Sequence, residues 1–115
     1  MNNKTVGNAG EDLACRYLEK QGYTILERNK RYSRFCELDI IAKDRDTTVF
    51  VEVKTRKNDA FGMPQEAITK TKFQNIRHGV SFYLSENKVK KFRIDVISIT
   101  LQPEFKIEHL KNVYL

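Results

Sequence analysis

Two short acidic motifs carry the side chains best suited to chemistry in this sequence. They are Glu-Leu-Asp at residues 37–39 and Glu-Val-Lys at residues 52–54. Each motif lies in a run of apolar residues typical of a β-strand, and the sequence Asp-Arg-Asp-Thr at residues 44–47 suits a tight turn between the runs. We therefore predict a β-hairpin with strands over residues 37–43 and 48–55.

The register of this hairpin decides whether the acidic side chains meet. If Arg45 and Asp46 are the two loop residues, Asp39 lies opposite Glu52, with Cβ atoms about 5 Å apart. Glu37 then lies opposite Lys54, and strand alternation points these four side chains to one face, which also carries Ile41 and Phe50. The opposite face is predicted to be core and contains Leu38, Ile40, Ala42, Val49, Val51 and Val53.

Two facing carboxylates suit a hard divalent cation such as Mg²⁺, which accepts one or two carboxylates, several waters and phosphate oxygens. Lys54 follows Glu52 on the same face, where an ammonium group can hold a water and offset charge on an attacked phosphate. This pattern is typical of phosphodiester hydrolysis. The alternative is a surface hairpin with cross-strand ion pairs such as Glu37 with Lys54, and the spacing alone favours neither interpretation.

The elements around the hairpin follow from hydrophobic periodicity and turn residues. Gly22 ends the first predicted helix, and Pro64 suits the entrance of the second. The order αβββαββ predicts an α/β domain. Outside the hairpin we predict helices over about 6–21 and 65–84, and strands over 23–29, 91–100 and 105–114.

The first helix contributes one further acidic candidate, Glu11. Its ordinary role would be that of a first-turn acid that complements the helix dipole. Gly7 and Gly10 flank it, and each costs a helix about 1 kcal/mol relative to alanine. They indicate a close approach of the helix backbone to another element or to substrate, although Gly7 also suits a frayed N-terminus.

Length and composition restrict the class of protein. The 115 residues predict a single domain over 1–115, and the net charge of +6 favours polyanionic partners. The sequence has no apolar run that suits a membrane span or signal peptide, so we expect a cytoplasmic protein with reduced thiols at Cys15 and Cys36. Motifs for zinc, for a nucleotide-phosphate loop and for a serine-hydrolase elbow are missing from the sequence.

Four ordered blocks of residues carry a family resemblance. They resemble the YraN family of predicted bacterial endonucleases, which is similar to archaeal Holliday-junction resolvases in the PD-(D/E)xK restriction-endonuclease-like superfamily. The resemblance covers nearly the whole chain. The blocks are Gly-Asn-Ala-Gly-Glu at 7–11, Glu-Leu-Asp at 37–39, Phe-Val-Glu-Val-Lys-Thr-Arg at 50–56 and Phe-Gly-Met-Pro-Gln-Glu-Ala at 61–67.

The resemblance implies a restriction-endonuclease-like α/β fold, with a central mixed sheet flanked by helices. It implies that Asp39 and Glu52 bind the metal, that Lys54 is the catalytic lysine and that Glu11 is a supporting catalytic acid. Glu37 matches the acid usual before the aspartate, with a direct or supporting role. Cys36 replaces the glycine usual in the family, and we expect a buried or semi-exposed structural thiol there and not a catalytic one.

Basic residues cluster in sequence around the hairpin, where we predict that they contact DNA phosphates. Tyr32 and Phe35 lie among them and either stack on exposed bases or pack in the protein. We interpret Lys70, Lys72 and Arg77 of the second helix as an ordinary solvated face. The predicted phosphate contacts are Arg28, Lys30, Arg31, Arg34, Arg56 and Lys57.

The sequence thus predicts a Mg²⁺- or Mn²⁺-dependent endonuclease that hydrolyses DNA, with branched or structured DNA in repair or recombination as its expected substrate. By analogy with junction resolvases we expect a homodimer, and we expect no membrane partner. One alternative is a nucleic-acid-binding module of the same fold with little or no hydrolytic activity. The other is a protein that recruits another repair factor through its sheet edge or basic surface.

Overall fold

Five strands form one mixed sheet in a computed structural model that describes residues 3–58 and 69–113, with side chains described for 8–57 and 69–113. The spatial order is β1-β2-β3-β4-β5; β3 and β4 are parallel, and the other neighbours are antiparallel. The order αβββαββ and the mixed sheet confirm the prediction of an α/β fold. The elements are α1 (Asn3–Lys20), β1 (Thr24–Ser33), β2 (Cys36–Asp44), β3 (Thr47–Asn58), α2 (Lys70–Glu86), β4 (Lys91–Gln102) and β5 (Lys106–Leu110).

The β2–β3 hairpin has the predicted register. Asp44 pairs with Thr47, and the paired residues continue to Ile40 with Val51. The two loop residues are therefore Arg45 and Asp46, and Arg45 adopts the left-handed backbone conformation (φ 58°) that two-residue hairpin loops require. By this register, the position after the Ile40–Val51 pair is occupied by Asp39 on β2 and by Glu52 on β3.

Each face of the sheet is covered by one helix. The side chains of β3 alternate between the two faces of the sheet, as predicted. Val49 and Val51 face α1, and Phe50 faces α2. The buried residues under α1 include Ala14, Leu18, Ile40, Ala42, Ile97 and Ile99. Those under α2 include Ile41, Ile76, Val80 and Tyr83.

Leu38 departs from the predicted face. It packs under α2, and its Cγ and Cδ2 atoms lie 3.1 Å from the position that a Cβ atom would occupy on Gly79. The pairing of β2 with β3 extends to Ile40, and beyond it β2 pairs with β1, so its alternation is no longer held in phase with β3. The missing side chain of Gly79 leaves the space that Leu38 fills.

Helix boundaries are set by local residues. Gly22 follows α1 with a φ of 93°, a conformation that favours glycine, which confirms its predicted role as a helix stop. Thr69 caps α2, because its Oγ1 accepts the amide hydrogen of Lys72 at 3.1 Å. The predicted beginning of this helix at residues 65–68, with Pro64 before it, lies outside the described residues. Within the described chain, neither helix is long and apolar enough to cross a membrane.

The backbone of α1 approaches β3 closely at Gly10, which confirms the predicted close approach of this helix to another element. A Cβ atom built on Gly10 would lie 1.9 Å from Oγ1 and 3.2 Å from Cβ of Thr55. No side chain larger than hydrogen fits this gap without movement. This contact fixes the distance between β3 and Glu11, the next residue of α1.

A buried acid, Asp95, joins the strands at the other end of α1. Its carboxylate accepts hydrogen bonds from Arg93 Nε at 3.1 Å and from the Asn112 amide at 2.9 Å, and it lies 2.8 Å from His109 Nε2. His109 Nδ1 is 3.1 Å from the hydroxyl of Tyr17 on α1. Burial alone would raise the pKa of Asp95, but the hydrogen bonds from His109 and Asn112 and the charge of Arg93 lower it.

We expect Gly10→Ala to lower the free energy of unfolding by about 1–2 kcal/mol. Overpacking against Thr55 costs about 1–3 kcal/mol, and the better helix propensity of alanine returns at most about 1 kcal/mol. Urea unfolding of Gly10→Ala and of Gly10→Ala/Thr55→Ala measures this, and the second substitution should restore most of the loss. Asn8→Ala, on the exposed surface of α1, is the control. A Gly10→Ala protein as stable as the parent would contradict the close approach.

We expect Asp95→Asn to lower the free energy of unfolding by about 3 kcal/mol near neutral pH, because it removes the buried charge that His109, the Asn112 amide and Arg93 together compensate. Arg93 keeps its second ion pair, with Asp44 at 3.4 Å. Asp46→Asn is the control, since this acid is exposed in the β2–β3 turn, 3.5 Å from Lys91, and should change stability by less than about 0.5 kcal/mol. Urea unfolding compares the two variants. An equal change in both would mean that the Asp95 network does not stabilise the fold.

Candidate metal centre

Asp39 and Glu52 meet where β2 and β3 begin to separate. In place of a further ladder bond, the amide of Val53 donates a hydrogen bond to Oδ2 of Asp39 at 2.9 Å. Glu52 faces the same cleft with 3% of its side chain exposed. The cleft has a volume of about 470 Å³, and its lining includes Arg34, Phe35, Glu37, Thr69, Lys72 and Asn75.

A lysine from α2 reaches this pair of acids. Nζ of Lys72 lies 2.8 Å from Oε1 of Glu52. Lys72 is thus part of the cleft and not of the ordinary solvated face predicted from the sequence. The cap at Thr69 places Lys72 in the first turn of α2, but only the packing of α2 on the sheet brings that turn to Glu52. Lys54 is half-buried on β3, and its assigned role remains a prediction.

Burial and like charge dominate the electrostatics of the pair. Burial, followed by the charge of Glu52, raises the pKa of Asp39 from 3.8 to about 8, against the opposing effects of the Val53 amide and Lys72. Burial opposes the charged form of Lys72, but the charge and hydrogen bond of Glu52 outweigh it and raise the pKa of the ammonium group. The raised pKa of Asp39 favours its protonated form near neutral pH, because Lys72 offsets only part of the negative charge of the pair.

Glu11 and Glu37 border the pair. Burial and then the charge of Asp39 raise the pKa of Glu11, so α1 brings this acid close enough to sense the pair. Oε1 of Glu11 is buried without a hydrogen-bond partner, and Arg28 approaches it to 3.7 Å. Glu37 lines the cleft and accepts a hydrogen bond from Arg31 at 2.7 Å.

The donor set of the cleft fits one hard divalent cation. Among the described residues, no group of three or more His, Cys, Asp or Glu side chains is arranged to hold a metal. Mg²⁺ needs only one or two carboxylates, because waters and substrate phosphate complete its coordination. Asp39 and Glu52 supply oxygen donors on an open cleft, and Lys72 compensates only part of their negative charge. The cleft thus suits a metal ion whose remaining coordination positions are open to waters or phosphate, and it does not suit a structural metal held entirely by protein ligands.

The basic residues predicted to contact phosphates divide into three groups: those paired with acids, one that lines the cleft, and two near the end of β3. Arg28 is paired with Asp12 at 2.7 Å, Arg31 with Glu37, and Lys30 approaches Glu27 to 3.8 Å. Arg34 instead lines the cleft itself. Arg56 is half-buried and Lys57 is exposed at the far end of β3. The arginines paired with acids therefore also screen the negative charge around the candidate metal centre.

Comparison with known proteins places the cleft inside a region of clear similarity. Residues 10–99 match the model of "Uncharacterised protein family UPF0102". A UPF0102 protein of Trichlorobacter lovleyi is 48% identical over 117 residues, which cover 97% of this chain and 91% of the relative. One of Syntrophus aciditrophicus is 44% identical, covering 97% and 90%. One of Dictyoglomus thermophilum is also 44% identical, covering 99% and 100%.

We expect the carboxylate pair to make the metal-free protein less stable as the pH rises. The pKa of Asp39 is raised on folding, so its contribution to stability is complete below about pH 4 and is lost as the pH rises through about 8. Urea unfolding in EDTA at about pH 5 and about pH 8 should show the parent losing stability relative to Asp39→Asn, by up to about 1.4 kcal/mol per pH unit. Asp46→Asn should follow the parent, and a pH-independent difference between parent and Asp39→Asn would contradict the raised pKa.

Proposed function

The chain belongs to the UPF0102 family, and we propose that it is a Mg²⁺- or Mn²⁺-dependent endonuclease that hydrolyses phosphodiester bonds of DNA. The observation that supports this most directly is the pair of Asp39 and Glu52, two carboxylates in one cleft whose negative charge Lys72 offsets only in part, so that the pKa of Asp39 is raised. A divalent cation compensates such a pair better than a proton does, and it also binds phosphate oxygens. The description of the family names no activity, so the proposal rests on this site.

Membership of the PD-(D/E)xK restriction-endonuclease-like superfamily is part of the proposal. Several observations support it together. The hairpin of β2 and β3 carries the acid pair, β3 runs parallel to β4, and α1 brings Glu11 beside Asp39. The element order agrees with the fold that the sequence resemblance implies, as does the position of Lys54 two residues after Glu52.

In the proposed mechanism, a bound divalent cation supplies Lewis-acid stabilisation of the charge that develops on the phosphate. Asp39 and Glu52 hold the cation, and the Val53 amide fixes the orientation of the Asp39 carboxylate. Glu11 and Glu37 support the pair from its border. Lys54 orients the attacking water, and Lys72 leaves Glu52 to contact a phosphate oxygen.

The proposed substrate is DNA, with branched or structured DNA as the expected form. The net charge of +6 favours a polyanion, and Arg34 lies in the cleft beside the acids. A homodimer is part of the proposal, because two copies of the cleft would address two strands.

A second candidate is a DNA-binding module of the same fold without hydrolysis. The ion pair between Lys72 and Glu52 favours it, because the ammonium group already offsets one carboxylate charge without a metal. This candidate predicts DNA binding that weakens with salt and no cleavage with any divalent cation.

We expect Mg²⁺ or Mn²⁺ to support cleavage of branched DNA, and EDTA to abolish it. Asp39→Asn and Glu52→Gln should each reduce the cleavage rate by at least about 100-fold, because each removes a metal ligand and its charge. Both variants should also lose Mn²⁺ binding in calorimetry. Asp46→Asn, an exposed acid on the β2–β3 turn far from the cleft, should retain the parental rate and affinity.

The two lysines are tested in the same assay. Lys54→Met and Lys72→Met should both slow cleavage, whereas Lys70→Met, on an exposed position of the same helix turn as Lys72, should not. Undiminished cleavage by both Asp39→Asn and Glu52→Gln would make the proposed site wrong. DNA binding without cleavage in the parent protein would favour the second candidate.

A further inference from the structure

Phe35 is an exposed aromatic side chain at the rim of the candidate metal centre. It is 66% exposed, the largest value among the exposed large hydrophobic residues of the described chain. Exposing a phenylalanine to this degree costs burial that the fold could otherwise gain. Singly exposed apolar side chains are common on protein surfaces, so the location of this ring beside the cleft is what distinguishes it.

The local backbone holds Phe35 in place. Ser33 pairs with Cys36, so Arg34 and Phe35 form the tip of the β1–β2 hairpin. The amide of Phe35 donates a hydrogen bond to Oγ of Ser33 at 3.2 Å, and Cys36 is buried immediately after it. The ring is thus presented by an anchored turn.

This tip faces the cleft of the acid pair. Arg34 and Phe35 both line the cavity that contains Asp39 and Glu52. The guanidinium carbon of Arg34 lies 5.0 Å from the centroid of the Phe35 ring, which is a cation–π distance. A positive charge and an aromatic surface are therefore joined at one side of the site.

The ring of Tyr32, the other aromatic residue of this hairpin, already packs against the protein. Its ring stacks on Phe82 of α2 with centroids 5.2 Å apart and an interplanar angle of 24°. It also packs against the buried cluster under α2. Stacking on bases and packing in the protein are both predicted alternatives for these two aromatics, and the structure separates them: Tyr32 is packed, and Phe35 is exposed at the cleft.

We propose that Phe35 stacks on an unpaired base next to the phosphate that lies at Asp39 and Glu52, while Arg34 contacts the adjoining backbone. In a continuous duplex both faces of each base are covered by the neighbouring bases, so no base face is free to stack on the ring. The substrate class is therefore DNA with an unpaired nucleotide beside the scissile bond, at a bulge, loop or branch. This inference rests on the proposed nuclease function and names the feature of the substrate that the site selects.

The chain contains no tryptophan, so a tryptophan placed at this position reports on stacking directly. We expect the emission of Phe35→Trp to be quenched when the protein binds, in EDTA, a duplex with one bulged base. The same duplex without the bulge should quench it much less. Phe105→Trp is the control, because Phe105 is 53% exposed and lies outside the cleft, between β4 and β5. Equal quenching by the two duplexes, or equal quenching of the two variants, would overturn the proposal.

Affinity provides the second measurement. Phe35→Ala should weaken binding of the bulged duplex by about tenfold or more, the range of one lost base–aromatic stack, and should change binding of the paired duplex by less than about twofold. Phe105→Ala should leave both affinities unchanged. An equal loss on both duplexes, or no loss on either, would overturn the stacking role.

The two proposals fail in different ways. If the parent protein cleaves DNA with a metal but Phe35→Ala binds the bulged duplex as tightly as the parent does, the stacking inference is wrong and the nuclease function stands. If the parent protein binds neither duplex and cleaves neither, both proposals are wrong. Quenching of Phe35→Trp by the bulged duplex, without cleavage by the parent, would support the stacking inference together with the non-hydrolytic DNA-binding module.

Discussion

Placing two carboxylates side by side in a buried cleft is the constraint around which this molecule is arranged. Glu52 is almost fully buried, and Asp39 lies within range of its charge, so both cannot ionise freely. The fold offsets part of the cost with the Val53 amide and with Lys72. The negative charge that is left uncompensated raises the pKa of Asp39, and this side chain therefore holds a proton that a bound cation would displace.

Three separate features of the fold are needed to assemble this cleft. The two-residue loop at Arg45 and Asp46 sets the hairpin register and so brings the acids to adjacent positions. Gly10 lets the backbone of α1 contact β3, and this contact keeps Glu11, the next residue of α1, close to the acid pair. The helix α2 lies in the connection between the parallel strands β3 and β4, and its N-terminal turn supplies Lys72 to the cleft. A change in any of these features alters the charge balance of the same site.

The sequence predicted what depends on local geometry and missed what depends on packing. The hairpin register followed from its turn residues, and the faces of β3 followed from alternation. Leu38 was assigned to the wrong face, because the place where β2 leaves β3 and the space opposite Gly79 are properties of the assembled sheet. Lys72 was missed for a related reason. Its helical position was readable from the sequence, but the side of the sheet that its turn would approach was not.

The comparison of Asp39 with Asp95 shows why one buried acid suggests chemistry and the other suggests structure. Asp95 is fully buried, yet its pKa is lowered, because His109, the Asn112 amide and Arg93 together compensate its charge. Asp39 is less buried, yet its pKa is raised, because its nearest ionisable neighbour is another acid. A saturated carboxylate has little to gain from a ligand, whereas an undercompensated one gains from any cation that enters. The sheet therefore has a structural acid under one end of α1 and an unsatisfied pair near the other, and binding energy for a cation is available at the second.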